Sequence, residues 1–138
     1  MESFEFEVIT ATRVPDEDRL NFWPRHVGPK YFVSFERHVF GWMRRLCGDY
    51  DGGFWEFYEL SNGGFYIAPE NGGKMRLVWP GNYFDGEMSP DAAGIVATLY
   101  ALNVFAEQVG PYFSDKYIQL YEFMRLHPEA EVIRAAID

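Results

Sequence analysis

The sequence contains a single cysteine, Cys47, among its 138 residues. An intramolecular disulfide is therefore excluded, and the chain fits a reducing compartment. A thiol nucleophile needs a nearby base and an electropositive, partly exposed setting, which the preceding Arg44 and Arg45 alone do not establish. The pattern instead favours Cys47 as a small buried hydrophobic residue.

The sequence also lacks long apolar runs. The start of the chain carries acids where a secretion signal would carry basic residues followed by an apolar stretch. The apolar stretch at 95–109 is interrupted by Asn103 and Glu107, and it is too short for a convincing membrane span. We therefore expect a cytoplasmic protein with no membrane partner.

Basic residues are scarce, because 12 Lys and Arg stand against 21 Asp and Glu, which gives a formal net charge of -9. Nucleic-acid binding draws its affinity from clustered Lys and Arg, so no direct nucleic-acid ligand is expected. The acids could instead imitate DNA phosphates. They are scattered and interrupted by arginines, however, and this pattern is more typical of a solvated surface.

Signatures of metal or nucleotide chemistry are missing. None of His26, His38 and His127 is spaced for a metal pair, and each is interpreted as a structural residue. Asp49 and Asp51 begin like a calcium loop, but the later ligands are absent and the flanking glycines predict turns. The glycines form neither a Walker loop nor a dinucleotide fingerprint, so no cofactor, metal or catalytic residue is predicted.

An enzyme remains an alternative to be tested. Such a protein would show a pocket with converging polar groups, and Glu56, Tyr58 and His38 are the candidates for it. Ser61 and Ser89 lack the surroundings of a nucleophile and are interpreted as turn or cap residues.

Aromatic residues, in contrast, are abundant at 19% and crowd into residues 54–60. Large rings suit a pleated, half-buried surface, and Asn62-Gly63 tolerates positive φ, so a β-hairpin is predicted there. The pattern predicts strands at 54–60, 64–68 and 74–79 in an antiparallel meander, an edge strand within 4–14 and an irregular segment from Pro80 through Gly86.

Helices are predicted around these strands from capping residues and apolar spacing. A turn at 15–18 enters a short helix that ends at Phe22-Trp23-Pro24, with a loop through Pro29. Ser34 is expected to cap a helix over 35–47 that stops at Gly48, and Ser114 to cap another. Ser89-Pro90-Asp91 begins the longest helix, which ends at Gly110-Pro111, and a final helix starts at Glu129. With 48% hydrophobic residues, the chain is predicted to form one α+β domain over 1–138, with a small antiparallel sheet of about three to four strands packed with about four helices.

Several motifs in this order and spacing resemble the ArdB/KlcA antirestriction family. They are Val14-Pro15, Arg19-Leu20-Asn21-Phe22-Trp23-Pro24, Trp42-Met43-Arg44-Arg45-Leu46-Cys47, Tyr58-Glu59-Leu60-Ser61-Asn62-Gly63-Gly64, Ser89-Pro90-Asp91-Ala92-Ala93-Gly94-Ile95 and His127-Pro128-Glu129. The resemblance covers most of the chain, from about residue 10 to residue 130.

The resemblance implies an α+β protein, carried by plasmids and other mobile elements, that protects incoming DNA by opposing type I restriction-modification. It implies inhibition without a catalytic centre, through contact with the restriction complex either directly or through an intermediary protein. An acidic DNA mimic is the alternative. The predicted contact residues are exposed positions around the first turn and before the hairpin: Asp16, Glu17, Asp18, Arg19, Arg25, His26, Asp49 and Asp51.

Overall fold

Strands and helices are largely segregated along the chain in the structure, a computed structural model that describes residues 8–70 and 72–138. The strands are β1 (Ala11–Arg13), β2 (Trp55–Leu60), β3 (Phe65–Pro69), β4 (Met75–Trp79) and β5 (Phe84–Met88). The helices are α1 (Arg19–His26), α2 (Phe32–Leu46), α3 (Pro90–Gln108), α4 (Pro111–Met124) and α5 (Ala130–Ile137). Short 3-10 turns occupy Asp16–Asp18 and Pro80–Asn82. The predicted α+β class is confirmed.

The strands form two antiparallel sheets, β1-β2-β3 and β4-β5. The hairpin between β2 and β3 turns where the sequence predicts it, since Gly63 has a φ of 94° and the Asn62 side chain accepts a hydrogen bond from the N–H of Gly64. The edge strand predicted within 4–14 is confirmed as β1, which pairs with β2; residues 4–7 of that prediction lie outside the described residues.

The outer edge of β3 is occupied by a helix and not by β4. The N–H of Ile67 donates to the Thr98 hydroxyl of α3 at 3.4 Å. The C=O of Ile67 also lies 3.4 Å from this hydroxyl, whose single proton has a nearer acceptor in the C=O of Gly94 at 2.8 Å. Pro69 offers no N–H to a further strand. The predicted meander from β3 into β4 is therefore wrong, and β4 pairs with β5. The segment predicted as irregular, from Pro80 through Gly86, contains a 3-10 turn and the first half of β5.

Helix α3 lies at the centre of the fold, as its many apolar faces predict. It begins as expected, because the Ser89 hydroxyl accepts from the N–H of Ala92 at 3.1 Å and Pro90 occupies the first turn. Residues 92–99 are all buried. A Cβ at Gly94 would lie 2.4 Å from Ala68 Cα, so only glycine lets this helix approach β3 so closely. No helix of the described chain has the length and apolar character needed to span a bilayer.

Aromatic rings from α1 and α2 fill the space beside the first sheet. Phe22 of α1 stacks on Phe57 of β2 with ring centroids 4.5 Å apart. Phe35 of α2 contacts Phe65 of β3 and Phe105 of α3, with centroids 5.8 Å and 5.2 Å apart. All five rings are buried, so they hold the first helix firmly against the sheet.

Helix α1 continues past the point where the sequence predicts its end. Pro24 lies inside the helix, which extends to His26. The missing N–H of Pro24 removes only one backbone bond, to the C=O of Leu20, in the last turn of a short helix. The loop predicted through Pro29 is correspondingly shorter.

Two predicted serine caps are also wrong. Helix α2 begins at Phe32, whose N–H donates to the C=O of Gly28 at 3.2 Å, so Ser34 already lies within its first turn. Helix α4 begins at Pro111, directly after Gly110 with a φ of 144°, and Ser114 again lies inside the helix. In both cases a glycine upstream lets the chain enter the helix earlier than the serine would.

Candidate functional site

The acidic segment at the start of α1 is exposed and firmly anchored. Asp16, Glu17 and Asp18 are all exposed on the 3-10 turn. The residues on either side that hold this turn are buried, with Val14 at 2% and Phe22 at 1% exposure. The structure therefore presents these three predicted contact residues as a fixed acidic corner.

Arginines beside this corner neutralise a carboxylate of β2. Arg13 Nη1 lies 3.3 Å from Glu56 and 3.7 Å from Asp16, and the hydrogen bond to Glu56 raises the pKa of Arg13. Arg19 lies 3.9 Å from Glu56, while its guanidinium carbon is 4.0 Å from the centroid of the Phe57 ring. Arg19, predicted as a contact residue, is thus partly engaged within the fold.

A second ion pair joins the end of α1 to β2. Arg25 Nη1 lies 3.0 Å from Glu59, and His26 Nε2 lies 2.6 Å from the same carboxylate. His26 is only 7% exposed, with its ring centroid 4.8 Å from that of Phe22 and 5.2 Å from that of Phe65. The expectation that His26 is exposed is therefore wrong, because the helix turns this ring into the aromatic core. Arg25 remains exposed.

The pKa values of His26 and Glu59 are both lowered. Burial lowers the pKa of His26, although the hydrogen bond to Glu59 opposes that effect. Burial would raise the pKa of Glu59, but hydrogen bonds from His26 and Arg25 outweigh it and hold this pKa below its usual value. At neutral pH a neutral imidazole therefore donates from Nε2 to an ionised carboxylate.

Acid should destabilise the fold through this pair. The unfolded chain protonates His26 more readily than the folded chain, so the free energy of unfolding is expected to fall as the pH drops below about 6.5. Protonation of Glu59 extends the loss to lower pH. Urea denaturation between about pH 7.5 and pH 5.5 measures the slope. In His26→Gln this slope should be shallower than in the wild type; an equal slope would show that His26 does not contribute.

Asp49 and Asp51, the remaining predicted contact residues, lie at a different place. Both are exposed, and both line a cavity of about 290 Å³ together with Glu70, Lys74 and Arg76. The described residues contain no group of three or more His, Cys, Asp or Glu that could hold a metal ion.

Sequence reasoning missed one polar cluster, here named the α3–α5 clasp and formed by Tyr66, Ser89, Asp91, His127 and Glu129. Asp91 accepts from the Tyr66 hydroxyl at 2.7 Å and lies 2.8 Å from His127 Nε2. The N–H of Glu129 donates to His127 Nδ1 at 3.0 Å. The Glu129 side chain in turn accepts from the N–H of Ser89 at 2.9 Å and from its hydroxyl. The clasp thereby ties the start of α3 to the start of α5.

The clasp contains a histidine, acids and a serine, but none of them is free to react. An amide N–H can only donate, so His127 Nδ1 is an acceptor and Nε2 carries the proton donated to Asp91. The Ser89 hydroxyl is engaged by Glu129 and by the N–H of Ala92. Burial and the neighbouring Asp91 raise the pKa of Tyr66, so its phenol stays protonated. The arrangement is that of a structural tie.

The residues proposed for an enzyme pocket are not brought together. Glu56 and Tyr58 line one shallow cavity of about 290 Å³. His38 lines another, and its Nδ1 lies 2.9 Å from the C=O of Ser34. Burial raises the pKa of Tyr58, and the nearby charges of Asp91 and Glu56 add to this, so the phenol is no base at neutral pH.

Comparison with known proteins identifies the family. The family model described as "Antirestriction protein" matches residues 48–138. The chain belongs to this antirestriction family. It is 53% identical over 137 residues to an antirestriction protein KlcA of Escherichia coli, covering 94% of each chain. A second KlcA of the same species is 44% identical over 135 residues, covering 94% of this chain and 95% of the relative.

A solved structure extends this likeness to the fold. It superimposes with a TM-score of 0.89 and 44% identity, covering 99% of this chain and 100% of the other. It belongs to a study of the KlcA and ArdB proteins, which show a novel fold and antirestriction activity against type I DNA restriction systems in vivo but not in vitro. The resemblance seen in the sequence is therefore confirmed.

The clasp joins two of the motifs that carry the family resemblance. Ser89-Pro90-Asp91 and His127-Pro128-Glu129, which are far apart in sequence, are the two segments that the clasp joins. Their pairing could have been suspected from their complementary donors and acceptors. The sequence gives no spacing rule that would have predicted it, because the contact depends on how α4 folds back.

Proposed function

We propose that this chain opposes type I restriction-modification by binding a protein partner in the cytoplasm, and that it transforms no substrate. The observation that carries the proposal is the full-length match, at a TM-score of 0.89, to proteins with antirestriction activity in vivo. In this proposal, the role of the fold is to hold a recognition surface in a fixed shape.

Contact is favoured over catalysis by the state of the polar clusters. His26 is bonded to Glu59, and both ring nitrogens of His127 are bonded within the clasp. A general base needs a free nitrogen within reach of a substrate proton. His127 therefore has no free ring nitrogen, and the Nε2 of buried His26 is engaged by Glu59, which supports a binding protein.

Contact is likewise favoured over DNA mimicry. A mimic requires unpaired carboxylates along one face, but Glu56 and Glu59 are each paired with arginine. Asp85 is also paired, at 2.6 Å from Arg76. These pairs offset negative charge on the strands, which counts against a regular phosphate imitation there, so the acidic DNA mimic remains the weaker alternative.

An intermediary is favoured by the behaviour of the relatives. The KlcA and ArdB proteins act in vivo but not in vitro. An inhibitor that binds the restriction enzyme directly would be expected to act on the purified enzyme as well. We therefore propose that a cellular component connects this chain to the type I complex.

The exposed acidic corner is the first surface to test. Unmodified phage should plate better on type I restriction-positive cells that make this protein, and the triple variant Asp16→Lys/Glu17→Lys/Asp18→Lys should lose at least about tenfold of that protection. A matched control, Glu107→Lys/Asp115→Lys/Glu122→Lys, changes the net charge equally at exposed positions elsewhere. Full protection by the first variant, with unchanged folding, would remove this corner from the proposal. Unchanged plating with the wild type would count against the function itself.

The intermediary can be tested separately. Purified type I enzyme should cut unmodified DNA at the same rate with and without the purified protein. Addition of restriction-negative cell extract should then allow inhibition. Inhibition by the purified protein alone would establish direct contact and contradict the intermediary.

A further inference from the structure

Gly41 and Tyr83 each occupy a backbone position that another residue type would favour, and neither improves the packing of the fold. Gly41 lies in the interior of α2, where glycine is less favourable than alanine. Tyr83 has a φ of 60° and is the one non-glycine residue with positive φ in the described chain. Folding alone would favour alanine at the first position and glycine at the second. Both choices therefore point to a role outside folding.

Gly41 opens a notch on the exposed side of α2. Apart from its chain neighbours and the backbone of its own helix, a Cβ at this position would have no atom within 4 Å, so glycine is not needed here to let another element approach closely. The notch has a volume of about 200 Å³ and is lined by Arg37, His38, Trp42 and Arg45. A side chain at residue 41 would occupy this space.

Tyr83 projects from a turn that is rigidly held. The Asn82 side chain donates to the C=O of Ala136 at 2.9 Å and accepts from the N–H of Phe84 at 3.2 Å. The Tyr83 side chain is 95% exposed. An aromatic ring thus stands in solvent on a backbone that cannot easily relax, which is the form of a recognition anchor.

Aromatic contacts connect the notch to this turn. The Trp42 ring stacks on Tyr100 with centroids 4.4 Å apart and meets Trp79 at 5.2 Å. Trp79 covers Gly81, where a Cβ would lie 2.7 Å from Trp79 Nε1, and Gly81 belongs to the turn that presents Tyr83. The notch and the turn that carries Tyr83 are therefore connected through Trp79.

This surface is positively charged, whereas the molecule as a whole carries a negative net charge. Arg37, Arg44 and Arg45 are exposed on α2, and none has a carboxylate within salt-bridge distance among residues 8–70 and 72–138. Arg45 instead lies over the Trp42 ring at 5.2 Å. A cluster of unpaired arginines on a chain of net charge -9 is complementary to an acidic partner.

We propose that this aromatic–arginine surface, formed by Arg37, Gly41, Trp42, Arg45, Trp79 and Tyr83, binds an acidic segment of a partner protein. Carboxylates of the partner would bind the arginines bidentately, and an apolar side chain would enter the notch beside Trp42. The proposal rests on the proposed function in one respect, since this partner would connect the chain to restriction. Trp, Tyr and Arg are also the residues most enriched at the centres of protein interfaces.

A protein segment fits this surface better than DNA. Binding to a duplex requires many phosphate contacts, whereas this surface contains two arginines, with Arg44 and His38 next to them on α2. The net charge of -9 also repels a polyanion beyond the immediate contact. A short acidic segment presents its carboxylates only to the surface itself.

The first test separates binding from folding. Gly41→Leu and Tyr83→Gly are expected to retain or raise the melting temperature, by about 2 to 4 °C for the helix substitution. Each should reduce plating protection by at least about tenfold, as should Arg37→Glu/Arg45→Glu. The matched controls Gly48→Leu and Arg125→Glu/Arg134→Glu, at exposed positions elsewhere, should protect normally. Normal protection by the first three variants would overturn the proposal.

The second test does not depend on antirestriction. A photo-crosslinking phenylalanine analogue is placed at Tyr83 in one version of the full chain and at exposed Tyr112 in another. Irradiated cells should yield an adduct from position 83 alone, on an acidic peptide of a protein, and Arg37→Glu/Arg45→Glu should abolish it. An adduct on DNA or on a peptide without acidic residues, an equal yield from both positions, or no adduct would each overturn the proposal. If the wild type fails to protect phage while this adduct forms, the proposed function fails and the surface stands.

Discussion

The Gly94→Ala variant is expected to lose about 3 kcal/mol or more of its free energy of unfolding, which is a large share of the total for a typical domain. The added Cβ would lie 2.4 Å from both Ala68 Cα and the carbonyl oxygen of Ile67. Both are backbone atoms of β3, and the residues of α3 on either side of Gly94 are buried. No flexible side chain can therefore move aside to make room for the Cβ. Either α3 separates from β3 or the sheet distorts. Urea denaturation followed by far-ultraviolet circular dichroism measures the loss.

The matched control for Gly94→Ala is Gly41→Ala. It makes the same substitution inside a helix, where the new Cβ would have no atom within 4 Å. It should raise the free energy of unfolding by up to about 1 kcal/mol, because alanine has the higher helix propensity. If both variants had wild-type stability, the close approach of α3 to β3 would be contradicted.

Asp91→Ala should be the second most damaging change, with a loss of about 2 to 4 kcal/mol. Asp91 accepts from two side chains, the Tyr66 hydroxyl and His127 Nε2. Tyr66 is 2% exposed, so its hydroxyl would remain buried without an acceptor. The variant also removes a negative charge from the first turn of α3, where it interacts favourably with the helix dipole.

Glu107→Ala is the control for this second prediction, since Glu107 is exposed near the opposite end of the same helix. Its free energy of unfolding should stay within about 0.5 kcal/mol of the wild type. Thermal and urea denaturation of both variants give the comparison. Equal stability of Asp91→Ala and Glu107→Ala would show that the clasp does not hold α3 to α5.

Features encoded by neighbouring residues could be predicted from the sequence. Ser89 and Pro90 predict the start of α3, and Asn62-Gly63 predicts the first hairpin, because caps and turns depend on local backbone geometry. The strand pairing of β4 could not be predicted. The flank of β3 where β4 was expected is instead faced by Thr98 of α3, which is distant in sequence.

The same limit applies to the candidate surfaces. The acids at 16–18 could be placed on the exterior from their position before α1. The burial of His26 could not, since it depends on packing against Phe22 and Phe65 within a helix that continues through Pro24. The notch at Gly41 could not be predicted either. A glycine inside a helical pattern indicates either close packing or open space, and only the neighbouring atoms in the structure distinguish the two.

The bond between Thr98 and Ile67 also restricts how any partner can attach. A peptide that binds by strand addition needs a row of unused main-chain donors and acceptors, and β3 has none to offer at this point. Backbone pairing at Ile67 is thereby disfavoured. A partner at this position would be recognised through side chains and not through main-chain pairing.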